Sequence, residues 1–65
     1  MYNNEYLREI RESQGLTKLD MARILGMDKA NYSKLEAGSY KHFPVEKAKI
    51  LKNRFNIDAL KLLGF

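Results

Sequence analysis

The chain has 65 residues, with twelve Lys and Arg against eight Asp and Glu for a net charge of +4, one histidine, His42, and no cysteine. One domain of this length buries only about 60% of the surface it exposes when unfolded, and with neither a disulfide framework nor a zinc cluster available, apolar packing must carry the fold. The polar start from Met1 to Glu5 is not a signal sequence, no apolar run approaches the roughly 18 residues of a membrane span, and the basic excess suits a nucleic acid or an anionic surface, so a cytoplasmic protein is expected.

Single residues punctuate the chain, namely Gly15, Gly26, Gly38, Pro44 and Gly64, and cut it into short helical pieces without an internal repeat, low-complexity tract or linker. The first piece takes Asn3 or Asn4 as its cap, places Tyr6, Leu7 and Ile10 at three- and four-residue spacing, and ends at Gly15 in a left-handed turn. The second begins at Thr17, where Thr17 and Asp20 form a capping box with a short acid. Its apolar surface is Leu19, Met21, Ala22, Ile24 and Leu25, and Gly26 breaks it. Asp28 caps the third helix, because its carboxylate can accept from the amides of Ala30 or Asn31 and sits at the positive helix end. That helix runs to about Ala37, before Gly38.

Pro44 suits the first turn of a fourth helix, in which Val45, Ala48, Leu51 and Phe55 line one face and Lys47, Lys49, Lys52 and Arg54 fall mostly on the other. A short fifth helix follows Asp58 and holds Leu60, Leu62 and Leu63, flanked by Ile57 and Phe65. This is more apolar surface than one short helix needs for itself. Met21 and Met27 read as core rather than as ligands for a cofactor. Catalysis has little support, since Ser13, Ser33 and Ser39 have no histidine at a diagnostic spacing.

Only Gly26, Met27 and Asp28 separate the second and third helices, so the two must cross steeply, as in a helix-turn-helix. At about 100° per residue, Tyr32 and Leu35 point one way on the third helix while Lys29, Ala30, Ser33 and Lys34 gather on the opposite side. That outward face is small and basic. It would let the helix approach a major groove closely, with Lys29 and Lys34 reaching guanine acceptors or phosphates, Ser33 meeting base edges and Ala30 meeting a thymine methyl.

Leu16-Thr17-Lys18, Met21-Ala22, Leu25-Gly26-Met27-Asp28 and Tyr32-Ser33-Lys34-Leu35-Glu36-Ala37-Gly38 together resemble the Cro and CI repressor, or XRE, family. The likeness extends almost end to end, from Leu7-Arg8-Glu9-Ile10-Arg11 to Ile57-Asp58-Ala59-Leu60. It implies an all-α fold: a five-helix bundle like that of lambda repressor, with its helix-turn-helix at about residues 17–37 of a single domain spanning 1–65. Lys29, Ala30, Ser33 and Lys34 fall on the family's base-reading positions, and Arg11 and Glu36 on a partly buried ion pair between the first and third helices. Two positions depart from the pattern. Lys18 stands where the family usually has a phosphate-contacting Gln, and a lysine would meet a phosphate as a point charge. Tyr32 replaces a β-branched aliphatic, and its hydroxyl needs a partner. The loop from Ser39 to Phe43 is also slightly long for the family.

Lys18 opposes the helix dipole at the start of the second helix, which favours a phosphate role. Asn31 is either a local cap or a phosphate contact, and Lys41 and His42 are either an ordinary polar loop or phosphate contacts beside the free amides of the Pro44 helix. The excess apolar surface, at Tyr40 and Phe43 in the loop and at Leu62, Leu63 and Phe65 at the end, predicts a weak homodimer. The expected partner is therefore double-stranded operator DNA on a pseudo-palindromic site in the nucleoid, with no cofactor, small-molecule ligand or membrane. These 65 residues leave no room for a sensing domain, a trait shared with phage Cro proteins and small plasmid or restriction-system controllers, and repression by blocking polymerase is the simplest mechanism. The rival is an interaction module of the same fold, such as an antitoxin or anti-repressor. RNA binding is weaker, because no cluster of aromatics offers a stacking platform.

Overall fold

Four of the five helices begin with a side chain that takes up an orphan amide. The computed structural model covers residues 1–65 and consists of α1 (Asn4–Ser13), α2 (Lys18–Ile24), α3 (Lys29–Glu36), α4 (Val45–Phe55) and α5 (Ala59–Leu63), with no strand. Asn3 caps α1 by accepting from the Tyr6 amide at 3.0 Å. At α2 the capping box is complete: Thr17 Oγ1 accepts from the Asp20 amide at 3.1 Å, and Asp20 Oδ2 accepts from the Thr17 amide at 3.0 Å. Asp28 takes the Asn31 amide at 2.7 Å and Asp58 the Lys61 amide at 3.1 Å. Each such cap contributes about 1 kcal/mol, a large share for a domain this small. Only α4 lacks one. Pro44 stands at its N-cap rather than inside its first turn and has no polar side-chain atom to offer, and Asn56 in the left-handed region closes the other end.

Twelve apolar residues form the core, drawn from every helix, from the N-terminal segment through Tyr2 and from the loop before α4 through Phe43. α3 packs on α1 and α2, while α5 packs on α1 and α4. The first residues, polar by composition, contribute Tyr2 to this core. Tyr2 is buried edge-on against the Phe43 ring, with centroids 5.5 Å apart, and donates its hydroxyl to the Leu35 carbonyl at 2.5 Å. The Asn3 amide donates to the Leu62 carbonyl at 2.8 Å. This crossing leaves no space beside Gly64, where a Cβ would run into the Met1 carbonyl and where φ is +92°. Tyr6 adds a further tie by accepting from the Asp58 amide at 3.0 Å.

Three expectations are corrected by this packing. Phe43 and Leu62, assigned to a dimer surface, are 4% and 0% exposed and belong to the core; Phe43 is held under the Tyr2 ring, and Leu62 lies on the inward side of α5 next to the N-terminal crossing. Val45, assigned to the packed face of α4, is 56% exposed, because the buried line runs through Ala48, Leu51 and Phe55 and starts a turn later. No helix is long and apolar enough to cross a membrane.

Candidate nucleic-acid interface

α3 divides by helical spacing into a buried side and an open one. Tyr32, Leu35 and Glu36 are buried, while Lys29, Ala30, Asn31, Lys34 and Ala37 are exposed and Ser33 is half-buried. Lys29, Ala30, Ser33 and Lys34 thus occur together on one face, with small side chains between two cations. Ala37, three residues beyond Lys34 and four beyond Ser33, continues this face. Sequence reasoning missed it, although the same spacing that grouped the others points to it.

The open cations are unclaimed by the rest of the protein. The ion pairs of the fold involve only Arg11 and Lys18 with Glu12 and Glu36, so Lys29, Lys34 and Lys41 have no carboxylate within ion-pair distance. Asn31 gives its backbone amide to the Asp28 cap, and its side chain is exposed and makes no protein hydrogen bond. Lys41 and His42 are exposed in the loop before α4, whose first amides have no side-chain cap. His42 also borders an apolar cleft of about 280 Å³ formed with Tyr2, Phe43, Val45, Leu63 and Phe65. Of the apolar residues assigned to association, Tyr40 and Phe65 are exposed and Leu63 is half-buried. Leu60, Val45 and Met1 add exposed area that sequence reasoning did not assign.

The orientation of α3 is fixed at its C-terminal end by side chains from the N-terminal segment and α1. Arg11 Nε donates to Glu36 Oε1 at 2.7 Å, and Arg11 Nη1 donates to the Leu16 carbonyl at 2.9 Å, just before α2. One guanidinium therefore joins α1, the entry to α2 and the end of α3. Tyr32 donates its hydroxyl to the same Glu36 Oε1 at 3.0 Å, which supplies the partner that a buried phenol requires. Asn4 Nδ2 donates to the Glu36 carbonyl at 2.9 Å, beside the Tyr2 bond to Leu35. Tyr2 and Asn4 carry this anchoring although neither belongs to a motif; only tertiary contact reveals them.

Arg11 and Glu36 balance one another's charge within this cluster. The hydrogen bond to Glu36 raises the Arg11 guanidinium above its already high pKa, so it is permanently charged. Burial, reinforced by the Glu36 charge, pushes the Tyr32 phenol well above 10 and keeps it a donor. Lys18, expected at a phosphate, also has a protein partner: its Nζ lies 3.9 Å from Glu36 Oε2. No buried side-chain nitrogen or oxygen is left without a hydrogen-bond partner.

A family model described as helix-turn-helix matches residues 7–62, from the first core leucine of α1 to the last of α5. No curated protein and no solved structure gives a match. With α2 and α3 joined by a glycine turn, the exposed basic face of α3 and a family match over most of its length, the chain belongs to the helix-turn-helix family of the Cro/CI, or XRE, type and is a DNA-binding regulator.

Proposed function

We propose that this protein represses transcription by occupying operator DNA as a homodimer, with α3 of each copy in the major groove. The observation that carries the reading is the exposed face of α3, where Lys29 and Lys34 have no carboxylate partner and flank the small residues Ala30 and Ser33. Small side chains admit the helix to the groove, and the lysines meet guanine acceptors. Lys18 at the start of α2, Asn31, and Lys41 with His42 before α4 contact phosphates on either side and set the register. Bound across a promoter, the dimer blocks polymerase.

Selection of bound sequences from random duplexes tests this directly. The expected outcome is a pseudo-palindromic consensus whose binding weakens with salt, with a log–log slope of about −0.9 per phosphate neutralised. Enrichment of no sequence, with binding insensitive to salt, moves the assignment to a protein-interaction module. That second reading draws on one observation, the exposed apolar side chains Phe65 and Leu60 at 91% and 64%, which lie outside the basic face.

A further inference from the structure

The two places where the chain departs from its family pattern meet on one carboxylate. Glu36 Oε1 already accepts from Arg11 Nε at 2.7 Å and from the Tyr32 hydroxyl at 3.0 Å. Glu36 Oε2 faces Lys18 Nζ alone, at 3.9 Å. The Glu36 side chain is 6% exposed and that of Lys18 45%, so the ammonium stands at the edge of the cluster with one side toward the buried carboxylate and the other toward solvent. An ammonium has three protons and can serve two acceptors at once. As the first residue of α2, Lys18 repels the positive end of its own helix, and Glu36 offsets that cost. A free surface lysine spreads over many rotamers; this one is drawn toward the end of α3.

We infer that Lys18 bridges Glu36 and a DNA backbone phosphate, so that the phosphate contact at the start of α2 depends on the same carboxylate that seats the recognition helix. The inference rests on the DNA-binding reading and adds a positioning role for Glu36 within it. Two rival accounts are simple. In the first, Lys18 touches phosphate with Glu36 a bystander, and removing the Glu36 charge leaves its contact intact. In the second, Glu36 competes with phosphate for the ammonium, and removing that charge strengthens binding, as the added net positive charge would by itself.

The test is a double-mutant cycle on DNA affinity with Lys18→Met and Glu36→Gln, together with the thermal midpoint of each protein without DNA. In Glu36→Gln the amide oxygen can still accept from Arg11 and Tyr32, while the amide nitrogen turns a donor toward Lys18 and drives it off. Expected are a loss of roughly tenfold in affinity for each single variant, the scale of one charge-assisted contact, and about the same loss for the pair rather than about a hundredfold. Each variant should lower the magnitude of the salt slope by about 0.9, the value for one phosphate. Lys18→Met alone should move the thermal midpoint little, because the lost Oε2 pair and the relieved repulsion at the start of α2 oppose one another; where Glu36→Gln fails to fold, Glu36→Asp, whose shorter side chain keeps a carboxylate for Arg11 but withdraws it from Lys18, takes its place in the cycle under the same criteria. Tighter binding by Glu36→Gln, or multiplicative losses in the pair, overturns the bridge while leaving DNA binding in place. A parent protein that binds no duplex overturns both.

Discussion

Lys34 has no protein partner and occupies the open face of α3, so its truncation tests recognition without disturbing the fold. Lys34→Ala should cost about 1–3 kcal/mol at the preferred site and relax preference at one base pair of each half-site, with an unchanged thermal midpoint. A loss of equal size on every sequence, with a shallower salt slope, would assign Lys34 to phosphate instead. Arg11 is the opposite case, because its Nε is 2.7 Å from the carboxylate of Glu36, a buried residue of α3. Removing one partner of a buried pair costs about 3–5 kcal/mol, and since Tyr32 and Lys18 still face Glu36, Arg11→Ala should fall near the low end. Calorimetry and a DNA titration should show both stability and affinity reduced; if neither moves, the pair does not seat α3. Tyr32 adds a pH signature. Its folded pKa lies above the ordinary 10.0, so the folded state holds a proton that the unfolded chain releases, and stability present below pH 10.0 is lost as the pH rises toward the folded value. Denaturation midpoints should fall on the alkaline side, and Tyr32→Phe should flatten that part of the profile, leaving only the weaker contribution of buried Tyr2, whose phenol is also raised by burial.

At the level of elements, the helices are short and depend on their ends. α2 has seven residues, too few to be stable alone, and its capping box also presents Lys18. The Thr17 amide, and after it the Thr17 hydroxyl, hold the Asp20 carboxylate below its usual pKa of 3.8. A lowered folded pKa means the stabilising ionised form is present above the unfolded value and disappears as pH falls through the folded one. Asp20→Ala should therefore be less stable than the parent at neutral pH, and the gap between their midpoints should close below about pH 3.8; a gap that persists in acid would assign the effect to helix propensity instead. α5 has its own cap in Asp58 and is held in addition by the crossing of the N-terminal segment. Gly64→Ala should be destabilising by more than about 1 kcal/mol, because it places a Cβ against the Met1 carbonyl at φ +92°.

For the whole molecule, size bears on the proposed mode of DNA binding. The extents are 27 × 24 × 18 Å, whereas successive major grooves on one side of a duplex are about 34 Å apart. One copy can therefore read one half-site, and a two-fold operator requires two copies. The apolar residues available for the proposed contact are Val45, Leu63 and Phe65 at the His42 cleft, Leu60 on α5, and Tyr40 in the loop before α4. Phe65→Ser with Leu60→Ser should leave half-site affinity and stability nearly unchanged while abolishing cooperative occupancy of the full operator, as seen by footprinting over a protein titration. One-to-one binding at every concentration by the parent would exclude the dimer.

The amino-acid sequence by itself determined the helices, their caps and the face of α3 that is open, because helical periodicity and capping are local: Thr17, Asp20, Asp28 and Asp58 act within three residues of their own position. It also supported the pairing of Arg11 with Glu36 through family resemblance, although the two are 25 residues apart. What it did not determine lies in contacts between distant segments. Tyr2 and Asn4 read as part of a polar start, yet they bond to the end of α3, more than thirty positions away. Phe43 and Leu62 read as surplus apolar surface, and they are core because that same N-terminal segment covers them. Lys18 read as a phosphate contact without a protein partner, and only the packing of α2 against the end of α3 placed it beside Glu36 Oε2. Periodicity specifies which side of a helix is apolar; which neighbour covers that side is decided by the assembled tertiary structure.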